Sequence, residues 1–217
     1  EKFLKIHIKN QIDNGANIIQ IFDSWAGLLE EKDLPNYIYT PTLNLVNYIK
    51  SLNVPVICFP REIKNYSEFC DIVRPDVISI DYNVDPKKII KDIKIPVQGG
   101  LDPKILLTNK ETLKKEAIKY LEIFKDHPYI FNLGHGILPE TNPDMVDHLV
   151  KIVKDYKTSL NLRPNKSKEF DNEMSPGDRV SEIAKNKRLF NAFIKKRISN
   201  TDKLYKHGVY MPVNGYK

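Results

Sequence analysis

Short apolar runs alternate with amphipathic stretches along the first 155 residues. Residues 17–22, 54–59, 76–80, 95–98 and 129–133 are nearly continuous hydrophobic runs, bounded by Gly, Pro, Asn or Asp. Runs of that length and bounding read as strands buried on both faces. Between them the apolar positions recur at helical spacing over 35–51, 64–72, 85–92, 110–125 and 143–155. The 110–125 helix is expected to turn Leu113, Ala117, Tyr120, Leu121 and Phe124 inward, and the 143–155 helix Met145, Leu149 and Val153. Pro86 sits near the first position of the 85–92 helix, where its missing N–H costs nothing. A helix over 1–13 carries Phe3, Leu4, Ile8 and Ile12 on one face and is stopped by Asn14-Gly15.

Strand and helix in strict alternation predict parallel strands joined by crossover helices. Five strands do not close an eight-stranded barrel. Strands 17–22 and 129–133 would then be open edges, which proteins rarely leave bare. Either the sheet is open or three further strands lie upstream of Glu1. The first residue is Glu rather than Met, so the chain is expected not to begin where its gene begins.

Polar side chains cluster just after the strands: Ser24, Arg61, Asp81, Gln98, Asp102 and His135. In a parallel barrel or open α/β sheet these ends share one rim, and ligands bind there. The most distinctive stretch is Tyr129-Ile130-Phe131-Asn132-Leu133-Gly134-His135-Gly136, a buried run opening into a histidine flanked by glycines. That arrangement lets the backbone turn tightly and bring an imidazole to the rim, where it can donate hydrogen bonds or protons. Ser24 could donate and accept beside it. A serine hydrolase is disfavoured, because Phe22-Asp23-Ser24-Trp25-Ala26-Gly27 lacks the first glycine of the usual nucleophile turn. A metal centre needs several converging ligands, and only His135 stands on the rim. Gly99-Gly100 reads as a tight turn before it reads as a phosphate loop.

Composition changes this picture only at the carboxyl end. The 217 residues are 41% hydrophobic and 29% charged, and no apolar run approaches the ~20 residues that cross a bilayer. No secretory-signal pattern is present. Cys58 and Cys70 are the two cysteines, expected to be reduced structural thiols. The formal charge is +6, yet residues 156–217 hold fourteen Lys/Arg against six Asp/Glu. Residues 161–175 read as a linker, and Ser175-Pro176-Gly177-Asp178 as the start of a basic helix over 178–198. A basic tail can bind polyanions or simply be solvated, and no nucleic-acid motif accompanies it.

Several motifs together resemble the uroporphyrinogen decarboxylase family. They are Gln20-Ile21-Phe22-Asp23-Ser24-Trp25-Ala26-Gly27, Pro55-Val56-Ile57 with Phe59, Asp81, Gln98-Gly99 with Leu101-Asp102-Pro103, and Phe131-Asn132-Leu133-Gly134-His135-Gly136-Ile137. Their order and spacing cover residues 1–155. The resemblance implies an α/β fold, a (β/α)8 TIM barrel of which about five of eight parallel strands are present. It implies a cofactor-free, metal-free, cytoplasmic homodimer that removes carbon dioxide from the four acetate groups of uroporphyrinogen III, giving coproporphyrinogen III. It implies substrate contacts at Ser24 and His135, with His135 catalytic. The family's pyrrole-binding aspartate, its Arg-Gln-Ala-Gly-Arg segment and a substrate-contacting tyrosine have no counterpart here. Pro60-Arg61-Glu62 replaces a small residue, lysine and glycine, and Gly100 stands where asparagine is common. Zinc methyltransferases of the same superfamily carry His-x-Cys where this chain has Val56-Ile57-Cys58, which argues against zinc.

Two functional expectations follow. One is a uroporphyrinogen decarboxylase polypeptide, incomplete at its amino end. The other is a non-catalytic partial barrel acting as an assembly or polyanion-binding module through residues 156–217.

Overall fold

A computed structural model describes residues 1–156. The basic tail and the helix expected over 178–198 lie outside the described residues. Helix α1 (Lys2–Asp13) leads into β1 (Ile19–Asp23). There follow α2 (Thr40–Ser51), β2 (Val56–Pro60), α3 (Tyr66–Val73), β3 (Val77–Ile80), α4 (Pro86–Asp92), β4 (Val97–Gly99), α5 (Lys110–Ile123), β5 (Tyr129–Ile130) and α6 (Pro143–Asp155). All five strands are parallel and lie in the order β1-β2-β3-β4-β5. The sequence order is thus the spatial order, as in a barrel wall, and β1 and β5 are the edges.

Four of the α-helices carry a side-chain cap at their start. Asn65, Asp85, Asn109 and Asn142 accept from backbone N–H groups in the first turns of α3, α4, α5 and α6. Pro86 is the first residue of α4. These caps satisfy donors that a helix start leaves orphaned. Two short turns of non-α helix were not in the sequence pattern. Residues 35–39 form a π-helical turn ahead of α2, and Pro103–Leu107 form a 3₁₀ helix after β4.

The helix-facing side of the sheet is the main core. Ile19, Val56, Cys58, Ile78, Ile80 and Val97 pack there against Val46, Ile49, Phe69, Val73 and Ile89. Burial pushes the Cys58 thiol far above its ordinary value, so it stays an inert, protonated core group. A second cluster joins Leu101 and Leu106 to Leu113, Ala117, Met145, Leu149 and Ile152. Ile152 rather than Val153 is the fully buried residue of the last turn of α6. On α1, Ile8 is buried while Phe3 and Leu4 face outward, because no second layer covers the start of that helix.

The other face of the sheet is concave. Alternation along the strands puts Gln20 and Phe22 of β1, Ile57 and Phe59 of β2, Ser79 of β3 and Gln98 of β4 on it. Gln98 Nε2 donates to Gln20 Oε1 at 3.2 Å and to Ser79 Oγ at 3.3 Å. Gln20 and Gln98 stand three strands apart. In a flat sheet that is about 14 Å of backbone separation. Their contact therefore requires the sheet to curl, as the wall of a closing barrel does. This is a partial (β/α)8 barrel seen through its own packing. The contact also corrects the placement of Gln98, expected on the rim. It lies inside β4, buried, and belongs to the layer of side chains filling the concave face.

Below the sheet, His127 in the α5–β5 loop donates from Nε2 to the Ile95 carbonyl at 3.0 Å. Burial holds its imidazole below the ordinary histidine value, outweighing the hydrogen bond. The folded chain therefore binds fewer protons near pH 6 than the unfolded chain, so its stability rises with pH there. His127 should contribute fully above about pH 6.5 and progressively less as pH falls below it. Urea midpoints at pH 7.5 and 5.5 should fall further on acidification in the parent chain than in His127→Gln, whose amide keeps a donor without titrating.

Candidate functional site

Parallel register places the carboxyl ends of all five strands on one rim. Ser24 follows β1 and His135 follows β5, so the two stand at the same end of the sheet, on its two outermost strands. Ser24 is half-buried and His135 exposed. What lies between them is a line of backbone contacts joined at its centre by the Asp81 carboxylate.

Starting from β1, the Asp23 side chain accepts from the Trp25 N–H and turns the chain at Ser24. Pairing with β2 then continues past the strands. The Arg61 N–H donates to Asp23 O at 3.0 Å, and the Gly27 N–H to Arg61 O at 2.9 Å. A Cβ on Gly27 would sit 2.6 Å from the Glu62 carbonyl carbon, so a glycine is required for the two loops to touch. Glu62 itself adopts φ +62°, a left-handed conformation that costs a non-glycine residue roughly 1–2 kcal/mol. The resemblance puts a glycine at that position, and this backbone explains why.

Next in line is Asp81, at the end of β3. It is buried, and its carboxylate accepts three hydrogen bonds. Oδ2 takes the Glu62 N–H and the Tyr66 hydroxyl, each at 2.8 Å, and Oδ1 takes the Asn83 N–H at 2.8 Å. Burial first, and the neighbouring Asp81 charge second, push the Tyr66 hydroxyl well above its ordinary value, so it remains a donor. Asp81 was expected to face a ligand from the rim. Instead it ties the β2 loop, α3 and its own loop together from within. Gly134 then closes the line: its Cβ would lie 2.8 Å from the Asp81 carbonyl carbon, and its N–H donates to Leu101 O at 2.8 Å. The β5 loop thus leans inward across the end of β4, carrying His135 with it.

β5 is shorter than the sequence suggested. Regular pairing covers Tyr129–Ile130, and the ladder returns only as a bridge between Leu101 and Leu133. Asn132 interrupts it, its own Oδ1 accepting from the Leu133 N–H. Behind this segment, Tyr129 donates to Gly99 O at 2.8 Å and Tyr120 to Gly100 O at 2.6 Å. Burial pushes the Tyr120 hydroxyl up to about 12. The rings of Tyr129 and Phe124 stack at 4.1 Å. These contacts pin the Gly99-Gly100 turn, whose φ values of +90° and +102° favour glycine. Asn, common at the second position in the family, is the other residue that enters this region readily.

Asp102, also expected on the rim as a polar candidate, caps the following 3₁₀ helix by accepting from Lys104 N–H. Arg61 extends the concave-face alternation of Ile57 and Phe59 and pairs with Glu62. Its position at the rim was visible in the sequence. Its pairing was not, because the partner is adjacent in sequence and reaches it only through the left-handed turn. A cleft of about 670 Å³ opens between α3 and α4; it meets the rim at Glu62 and Asp81 and includes neither Ser24 nor His135.

Comparison with known proteins agrees with this architecture. The family model described as uroporphyrinogen decarboxylase matches residues 2–156. A uroporphyrinogen decarboxylase of Rickettsia bellii is 44% identical over 155 residues, covering 70% of this chain and 46% of the relative. One from Wolbachia pipientis wMel is 42% identical over 154 residues, covering 70% and 46%. One from Rickettsia africae is 40% identical over 155 residues, covering 70% and 45%. The chain spans about half the length of the curated relatives it matches.

Two variants test the line across the rim. Asp81→Ala removes the acceptor of donors from three segments, the buried Tyr66 hydroxyl among them, and should cost about 3 kcal/mol, read as a lowered urea midpoint. Gly134→Ala forces a methyl into the backbone at Asp81 and Tyr82 and should cost roughly 1–3 kcal/mol by the same measurement. An unchanged midpoint in either would mean the rim is not braced as described.

Proposed function

The chain belongs to the uroporphyrinogen decarboxylase family, and we propose that it forms the five-stranded part of an enzyme converting uroporphyrinogen III to coproporphyrinogen III. The observation that carries this reading is the shared rim. Ser24 and His135, quoted in the family's own motifs, sit at one end of a curled parallel sheet and are linked by the Gly27, Glu62, Asp81 and Gly134 contacts. In this reading the mouth receives a macrocycle bearing carboxylates.

The reaction needs protons placed well more than it needs a covalent catalyst. Protonating a pyrrole carbon makes the ring an electron sink. The bond between the acetate methylene and its carboxylate then breaks, carbon dioxide leaves, and the electrons return to the ring. A proton adds to the methylene to give a methyl group, and the proton first placed on the ring carbon leaves, so one proton is consumed for each carbon dioxide released. His135 would act at the substrate as donor or general acid, and Ser24 would hold a carboxylate through its hydroxyl. Both act by position and by charge at the transition state. No cofactor enters this scheme. The essential aspartate and arginines of the family would come from the part of the relatives this chain does not match.

The full-length parent is proposed to act as a cytoplasmic homodimer. Among the described residues no helix is long and apolar enough to cross a membrane. The alternative, a non-catalytic polyanion-binding module, rests on residues 156–217 alone and gains nothing from the family match.

Assayed on uroporphyrinogen III, the 217-residue chain alone should give no turnover, and the full-length parent should give coproporphyrinogen III. In the parent, His135→Ala should lower kcat roughly 10²–10⁴-fold, and Ser24→Ala should raise KM about tenfold, one hydrogen bond to a charged group. Turnover by the chain alone, or an unaffected His135→Ala parent, would overturn these roles.

A further inference from the structure

Arg61 stands at the middle of the rim, between the Ser24 loop and Asp81, and its surroundings are unusual for a guanidinium. Its backbone is fixed on both sides, by Asp23 O and the Gly27 N–H. Its Nη2 pairs with the Glu62 carboxylate, the two side chains being 23% and 33% exposed. Its Nε is buried, and among the described residues it has no hydrogen-bond partner. A buried donor of a charged group left unpaired is costly, and native structures rarely keep one without a reason. A guanidinium presents Nε and Nη2 as one fork, matched to the two oxygens of a carboxylate. Glu62 takes one tine of that fork with one oxygen and leaves the other tine unpaired.

The position of Glu62 adds to this. Its left-handed backbone is a strained place for a charged residue, yet that turn is what holds its carboxylate against its own neighbour. A one-toothed partner on a strained backbone is a replaceable partner.

We infer that Arg61 is a carboxylate-binding residue of the mouth, and that a substrate carboxylate takes its Nε–Nη2 fork by displacing Glu62. This rests on the reading that the mouth receives a polycarboxylate. Glu62 is then an intramolecular competitor that sets affinity, and Arg61 is a specificity residue favouring planar two-oxygen anions over single-point ones. Glu62 also keeps the guanidinium neutralised and oriented until the exchange occurs.

Isothermal titration of the full 217-residue chain with benzene-1,2,4,5-tetracarboxylate tests this, with the circular dichroism of each variant matched to the parent. Arg61→Ala should weaken binding at least tenfold. Arg61→Lys, which keeps the charge and loses the fork, should weaken it by an intermediate factor. Glu62→Gln should tighten it about three- to tenfold. Unchanged affinity in Arg61→Ala, or no tightening in Glu62→Gln, overturns the inference. If Ser24→Ala weakens binding while Arg61→Ala does not, the mouth takes carboxylates without Arg61. If the chain does not bind the probe, or if Ser24, Arg61 and Glu62 variants all bind alike, the reading of the mouth falls as well.

Discussion

One buried carboxylate holds the two halves of the rim together. Asp81 ends the central strand and accepts from the loop after β2, from α3 and from its own loop. On one side those contacts reach through Glu62 to Gly27 and the turn at Ser24. On the other they meet Gly134 and the loop bearing His135. The charge is fully hydrogen-bonded, which is what makes its burial tolerable. Its cost is offset by what it fixes: the loop after β2, the start of α3 and the loop after β3. The glycines at 27 and 134 are the other half of the device. Each lets one backbone lie directly on another, so the line across the mouth is main chain at both ends and a side-chain carboxylate at its centre.

The curl of the sheet does the complementary work. Gln20, Ser79 and Gln98 are polar residues on a face that would be the inside of a closed barrel. Their mutual hydrogen bonds let a polar layer be buried, and their reach across three strands draws β1 toward β4. Curl and rim together turn five strand ends into a concave mouth. On the proposed reading, that mouth grips carboxylates and moves protons with Ser24 and His135, and Arg61 is the further residue inferred to join them. The layered logic runs from alternation, to curl, to a common mouth, to acid–base positioning.

Much of this was legible in the sequence. The apolar runs separated by helical patterns gave the strand order, because consecutive parallel strands with crossover helices have little choice of neighbour. Pro86 was legible as the start of α4 for a similarly local reason. Ser24 and His135 were legible as strand-end polar residues within distinctive motifs. What was not legible depends on long-range geometry. Gln98 looked like a rim residue because nothing local says that Gln20, 78 positions away, will meet it. Asp81 looked like a ligand-facing acid, since its partners Glu62 and Tyr66 reach it only once α3 packs. The break in β5 came from Asn132 bonding its own neighbour, a local competition with the ladder that hydrophobicity does not reveal. At Glu62 the residue type gives no sign of the positive φ, and only the glycine that the resemblance puts there points to it.

The central claim is that residues from the two outermost strands serve one mouth. A ¹⁵N-resolved NMR titration of the chain with uroporphyrin III reads it most directly. The account predicts that the resonances of Ser24, Arg61 and His135 move together and fit one dissociation constant. Shifts confined to residues 157–217, or Ser24 and His135 titrating with separate constants, would contradict it.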